Sequence, residues 1–234
     1  MQFPDSVALN KWIAAHNSGD VCLLSFSTGK DSIAAWLEVR RYFKRVIPFH
    51  LYSIPDMEFQ EKSLAYYERF FNTKILRCPH PYLYRRLNCF VFQPPERCAV
   101  IERADLATFD YEDAHRMLKE DAGVPADTWV ATGVRVADNP LRQITVKKAG
   151  AFNIHRRMFM PVYDWKKARV LSEIRAAGVG LPVDYAVWGR SFDGLDWRFL
   201  LPLKETLPAD YARVLELFPM ADLEFARKEF ERSV

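Results

Sequence analysis

The sequence has no apolar run near the ~20 residues that a membrane-spanning helix needs. It has four cysteines, Cys22, Cys78, Cys89 and Cys98, and no C-x-x-C pair. That sparseness argues against a disulfide framework and against the known cysteine runs of iron–sulfur clusters. The amino end, Met1-Gln2-Phe3-Pro4-Asp5, lacks the basic and then apolar pattern of a signal peptide, so a cytoplasmic location is expected. Internal repeats and low-complexity segments are absent too. The formal net charge of +3 is too small to argue for a nucleic-acid partner by itself. What is present is material for a core. Half of the 234 residues are apolar and 14% are aromatic, enough for one α/β domain with a C-terminal extension.

The chain is organised around Val21 to Ser32. The apolar stretch Val21-Cys22-Leu23-Leu24 has strand length and ends in Ser25-Phe26-Ser27-Thr28-Gly29-Lys30-Asp31-Ser32. A helical pattern follows through Ile33, Ala34, Trp36, Leu37 and Val39. Strand, tight loop and helix together point backbone N–H groups and the positive end of a helix at an anion. Ser27, Thr28 and Ser32 add hydroxyls, and Lys30 adds a charge. The loop is not a Walker A loop, because Asp31 follows Lys30 and no glycine lies between Gly19 and Gly29. From these residues alone, an ordinary strand-to-helix turn capped by Ser or Thr is an equal alternative.

The rest of the chain alternates strand and helix patterns, which predicts a parallel sheet. A helix is expected over 6–16, capped by Asp5 or Ser6. The helix after the loop is expected to run to about Phe43. Val46–Tyr52 reads as a strand that starts late or bulges at Pro48. Met57–Phe71 reads as a helix and Lys74–Arg77 as a short strand. Cys78–Arg97, punctuated by Pro79, Pro81, Pro94 and Pro95, reads as an irregular insertion with short helical pieces. Tyr111–Ala122 is a predicted helix and Asp127–Thr132 a predicted strand. Residues 139–157 are basic with little periodicity and read as a mobile loop. A helix over 166–177 and two more, 208–217 and 222–232, complete the pattern, with Asp164 the expected N-cap of the first of these.

The order Ser27-x-Gly29-x-Asp31-Ser32 resembles the PP-loop of the ATP pyrophosphatases and of the phosphoadenosine phosphosulfate (PAPS) reductase group. A second segment supports the likeness. Gly133-Val134-Arg135-Val136-Ala137-Asp138-Asn139-Pro140-Leu141-Arg142 resembles the Gly-x-Arg-x-x-Glu-Ser-x-x-Arg stretch of PAPS reductase-like proteins. Asp138 takes the Glu place and Asn139 the Ser place. Met160-Pro161-Val162-Tyr163-Asp164-Trp165 is similar to a further segment of that group, and the likeness runs from about Val21 to Phe192.

The resemblance implies the adenine nucleotide α-hydrolase-like fold: an open, mainly parallel twisted sheet with helices on both faces. Residues 1–200 would form the nucleotide-binding domain and 201–234 a helical C-terminal extension of it. It implies that Ser25, Ser27, Thr28, Gly29, Lys30 and Ser32 bind the phosphates of ATP or PAPS. Gly133, Arg135 and Arg142 would bind remaining phosphates or a second substrate, and Ile54 and Asp56 would lie toward the nucleoside. Lys30, Asp31 and Arg135 are the candidate catalytic groups. Asp31 would orient the loop or help place Mg²⁺. The true reductases carry a C-terminal nucleophilic cysteine, whereas the last cysteine here is Cys98. ATP α-phosphate chemistry with pyrophosphate release is therefore the leading expectation. PAPS reduction or sulfate transfer with an external thiol is the alternative. A third reading, a nucleotide-sensing or nucleic-acid-binding module, draws on the basic stretch 147–159. The aromatic C-terminal extension could pack on a second copy of the chain.

Overall fold

The computed structural model describes residues 2–192 and 194–233. In chain order the elements begin with α1 (Ser6–Ala15), β1 (Val21–Ser25), α2 (Lys30–Val39), β2 (Arg45–Tyr52), α3 (Glu58–Phe71) and β3 (Leu76–Pro79). Next come α4 (Pro81–Asn88), α5 (Pro95–Ala104), α6 (Tyr111–Asp121), β4 (Val130–Thr132), α7 (Pro140–Ala149), β5 (Phe152–Asn153) and β6 (Met158–Phe159). The last are α8 (Lys167–Ala176), α9 (Asp184–Trp188), α10 (Trp197–Thr206), α11 (Pro208–Leu217) and α12 (Leu223–Ser233). The chain divides into two compact units: residues 1–51, 67–78 and 112–181 in the first, and 52–66, 79–111 and 182–234 in the second.

The first unit is built on a sheet of order β3-β2-β1-β4-β6-β5. β1 is central and pairs in parallel with both β2 and β4, and β4 pairs in parallel with β6. The short β5 closes the edge antiparallel to β6. Cys22, Leu23 and Leu24 are all fully buried. Successive strand residues point to opposite faces, so a run of three buried residues means that both faces of β1 are covered. Leu23, Ile47, Phe49 and Val130 pack with Leu118 of α6. α2 lies against β1, β4 and α8. This is the α/β fold with a mostly parallel sheet that the sequence pattern predicts.

Several local expectations are corrected. Pro48 neither delays nor bulges β2: it sits in register with Leu24 in an inner strand. Its ring removes one ladder donor but keeps a φ compatible with extended chain. The helix after the first loop stops at Val39, short of Phe43. Residues 139–157 are not a loop but α7 and the β5–β6 hairpin. Asn139 caps α7 by accepting from the Leu141 N–H at 2.8 Å, and Pro140 fills the first helical position. α7 has no buried residue, which is why its sequence shows no apolar stripe. Asp164 does not cap α8, whose N-cap is Lys166. Its Oδ2 instead accepts from the Ser6 N–H at 3.1 Å, while the fully buried Trp165 donates to Ser6 Oγ at 3.2 Å.

The second unit is helical. Its core gathers Ile54, Met57 and Phe59 with Leu83, Leu200, Leu203, Val214 and Phe218. The 201–234 segment starts inside α10, and its helices share this core with the chain around residues 54–59. α10 escaped the sequence reading because Pro202 interrupts it, yet Leu200 and Leu203 on either side are fully buried. Pro81 and Pro95, read as breakers, each open a helix, where a missing N–H costs nothing. Asp210 caps α3, accepting from the backbone N–H groups of Glu58 and Phe59 at 2.5 and 3.2 Å.

Candidate active site

The loop after β1 is anchored before it turns. Phe26 is buried edge-on against Trp36 and Tyr67. Its N–H donates to Phe49 O at 2.8 Å, and its carbonyl lies 2.9 Å from Nδ1 of the buried His50. The loop then closes on itself. Thr28 Oγ1 donates to Ser27 O at 2.6 Å, Ser32 Oγ donates to Gly29 O at 2.8 Å, and Ser27 Oγ donates to Ser32 Oγ at 3.3 Å. The hydroxyls expected to face a ligand are therefore spent on loop shape. Thr28 has φ 61°, a left-handed conformation that costs a β-branched residue ~1–2 kcal/mol. Gly29, the N-cap of α2, sits at φ −65° and supplies no side-chain cap. The first-turn N–H groups of α2 thus have no capping side chain, and their dipole end faces an anion favourably.

The second loop meets the first through a glycine. A Cβ on Gly133, placed just past β4, would stand 2.7 Å from Ser32 N, 2.8 Å from Asp31 C and 2.9 Å from Ser32 Cα. All three are backbone atoms, so a side chain at 133 would push β4 off the first turn of α2. The resemblance assigns Gly133 to the ligand; in the structure it faces the backbone of the other loop.

Charge completes the junction. Lys30 Nζ lies 2.7 Å from Asp31 Oδ2, and Arg135 Nε lies 2.8 Å from Asp31 Oδ1. The second contact is an ion pair without hydrogen-bond alignment. Arg135 also donates from NH2 to Asp138 Oδ1 at 2.5 Å and from NH1 to Trp165 O at 3.2 Å. Arg142 NH1 reaches Asp138 Oδ2 at 3.5 Å. Lys30, Asp31, Arg135, Asp138 and Arg142 thus form one alternating chain with more cations than anions. Arg135 is 3% exposed, so its guanidinium is a buried brace rather than an open phosphate grip. The side chains of Arg142 and Lys30 are 48% and 19% exposed.

Of the residues predicted from sequence, Ser25, Ser27, Thr28, Gly29, Lys30, Asp31, Ser32, Gly133, Arg135 and Arg142 come from the ends of β1 and β4, the loops that follow them and the starts of α2 and α7. Ile54 and Asp56 belong to the second unit: Ile54 is buried in its core, and Asp56 is an exposed residue with φ 56°. Both Asp31 oxygens already face cations, and no group of three or more His, Cys, Asp or Glu able to hold a metal occurs among the described residues. The side chains present do not fit a protein-held Mg²⁺ at Asp31. Cys78 is buried in β3, Cys89 is exposed and Cys98 is partly buried. The sequence reading missed His50 and the Trp165 carbonyl. Neither carries a motif, since each acts only through a neighbour distant in the chain.

No family model matches the chain, and no curated protein matches it. Solved structures do. The fold is similar to the U34-tRNA thiolase NcsA from Methanococcus maripaludis, solved with its [4Fe-4S] cluster. That match has 12% identity over 93% of this chain and 79% of that one, with a TM-score of 0.48. It is also similar to the NH3-dependent NAD synthetase from Campylobacter jejuni subsp. jejuni NCTC 11168, solved with nitrate. There the identity is 14% over 96% of this chain and 93% of that one, with a TM-score of 0.46.

Proposed function

We propose that this protein is an adenine-nucleotide-dependent enzyme that works at the α-phosphate of ATP. The observation that carries the proposal is the meeting of the two loops on one carboxylate, Asp31, between Lys30 and Arg135. In this reading the N–H groups at the start of α2 hold the departing phosphates. Ser27, Thr28, Gly29 and Ser32 set the loop's shape, and Ser25 ends the strand that feeds it. Lys30 and Arg142 supply positive charge where negative charge builds. Asp31 and Arg135 fix one loop against the other, and Gly133 lets them approach. An oxygen of an acceptor attacks the α-phosphorus. The bond to the bridging oxygen breaks, pyrophosphate leaves with the electron pair, and the acceptor is left adenylated after losing its proton to solvent. Mg²⁺ would arrive on the nucleotide's phosphates as part of the substrate. Ile54 and Asp56 have no part in this reading.

The test combines ligand binding with turnover. Thermal shift with ATP, adenosine phosphosulfate and PAPS, each with and without Mg²⁺, ranks the nucleotides, because a ligand of the native state raises its stability. Lys30→Ala should cut pyrophosphate release at least tenfold, and Arg135→Lys should weaken ATP binding through loss of the two-carboxylate brace. Unchanged turnover in both variants refutes the assignment. Sulfite release from PAPS with thioredoxin would instead favour the sulfur-transfer alternative.

One observation favours a second reading, a nucleic-acid-binding module. Residues 139–157 hold five Arg and Lys and no Asp or Glu, more than the whole chain's formal net charge of +3. Part of that charge rides on α7, which buries nothing. Salt-sensitive binding of DNA or RNA without ATP consumption would support this reading.

A further inference from the structure

At the opposite end of the same strands the first unit holds a second concentration of charge. β1, β4 and β6 run parallel, and the loop at α2 follows the carboxyl end of β1. Val124 and Ala126 precede β4 and Arg157 precedes β6, so the cavity they line opens at the amino ends. Its volume is about 460 Å³, within the range of small-ligand sites.

Three carboxylates on the wall of this cavity face two of its arginines, and the lining keeps one more cation than anion. Arg116 sits 3.1 Å from Asp113 and 3.5 Å from Glu120. Arg156 sits 2.7 Å from Glu112. Two cations are left over. Lys119 is 7% exposed, and its Nζ donates to the Ala126 carbonyl at 2.8 Å. That uses one of its three protons. Arg157 is held at φ 49° with its guanidinium 5.4 Å from the centre of the Trp129 ring. Among the described residues neither has a carboxylate within ion-pair distance. Asp127 attracts Lys119 from further off, while Arg157 works against its charge. A buried ammonium without a counter-ion is unfavourable, and a second cation nearby makes it more so. An aliphatic side chain at 119 would avoid it. The two histidines on the cavity wall, His115 and His155, add donors and no fixed negative charge.

We propose that this cavity is a second anion site, which binds a small phosphate monoester with its phosphate between Lys119 Nζ and the Arg157 guanidinium. The phosphate dianion offers acceptors to both cations at once and neutralises them together. The remaining volume takes the organic part, which rests against the wall formed by Val124 and Ala126. The site stands apart from the nucleotide reading, because it lies at the other edge of the sheet and shares no residue with the loops at α2 and α7.

Titration calorimetry on the intact chain tests it, with inorganic phosphate, ribose 5-phosphate and unphosphorylated ribose as probes. Saturable binding of both phosphates but not of ribose is expected, weaker at high salt. Lys119→Met and Arg157→Gln should each weaken it at least tenfold, while Ser32→Ala at the other edge should leave it unchanged. If Lys119→Met fails to fold, Arg157→Gln, on a hairpin turn, decides alone. Absence of phosphate binding to the natural chain overturns the proposal. So does equal affinity in the folded variants, loss of binding in Ser32→Ala, or a response to nucleic-acid strands alone.

Discussion

Gly133 shows how little room the two loops leave each other. An alanine there would place a methyl 2.7 Å from Ser32 N, against backbone that cannot swing away. Gly133→Ala should therefore destabilise the fold by about 1–3 kcal/mol, read from the denaturant midpoint, and weaken ATP binding in the same variant. Stability and binding both unchanged would mean that the loops do not depend on this contact. Other residues at the junction were legible in sequence because their spacing is local: Ser27, Gly29, Asp31 and Ser32 lie within one six-residue stretch. The role of Arg135 was only half legible. Its spacing from Gly133 and Arg142 marked it, but its burial by Asp31, Asp138 and the Trp165 carbonyl depends on chain segments that meet only after folding.

At the scale of elements, α7 is the exception in the first unit. It buries no side chain, and Leu141 and Ile144 are 69% and 50% exposed. A ten-residue helix is marginal by propensity alone. Its start therefore leans on the Asn139 cap. Asn139→Ala should cost α7 about 1 kcal/mol. Hydrogen exchange should report this as faster exchange of the amides of 143–149, with those of β1 unaffected. Equal acceleration in β1 would show that α7 is coupled to the sheet rather than locally stable. The same reasoning explains why residues 139–157 read as a loop. Periodicity reports burial, and this helix has none to report. α10 failed for the opposite reason: its buried face is clear, but Pro202 inside it mimics a break.

For the whole molecule, stability should depend on acid through a buried carboxyl in the second unit. Asp184 is 2% exposed, and its Oδ2 accepts from the Phe192 N–H at 2.9 Å. Burial pushes its carboxyl above the usual range, although the backbone hydrogen bonds pull the other way. An acid that holds its proton more tightly when folded gives the native state more bound protons than the unfolded chain. Its contribution is then fully present below the ordinary aspartate value and is lost as pH rises through the raised one. Asp184→Asn removes that titration. Denaturation curves of the variant across the mildly acidic range should show a smaller fall in stability with rising pH than those of the natural chain. Parallel curves would mean that Asp184 is ionised in both states.

The order of residues by itself determined the alternation of strands and helices, the turn from β1 into α2, and the pairing of that turn with a second glycine–arginine segment. These follow from local chemistry: apolar runs of strand length, a Gly-containing loop and hydroxyls a few residues apart. Only the folded chain decided that Arg135 is a brace, that Gly133 serves the backbone of α2, that Asp210 caps α3 from 152 residues away, and that Lys119 and Arg157 share a cavity. Each of those facts joins segments far apart in the chain. A side chain's type is written in the sequence, but its partners and its access to water are set by what packs around it.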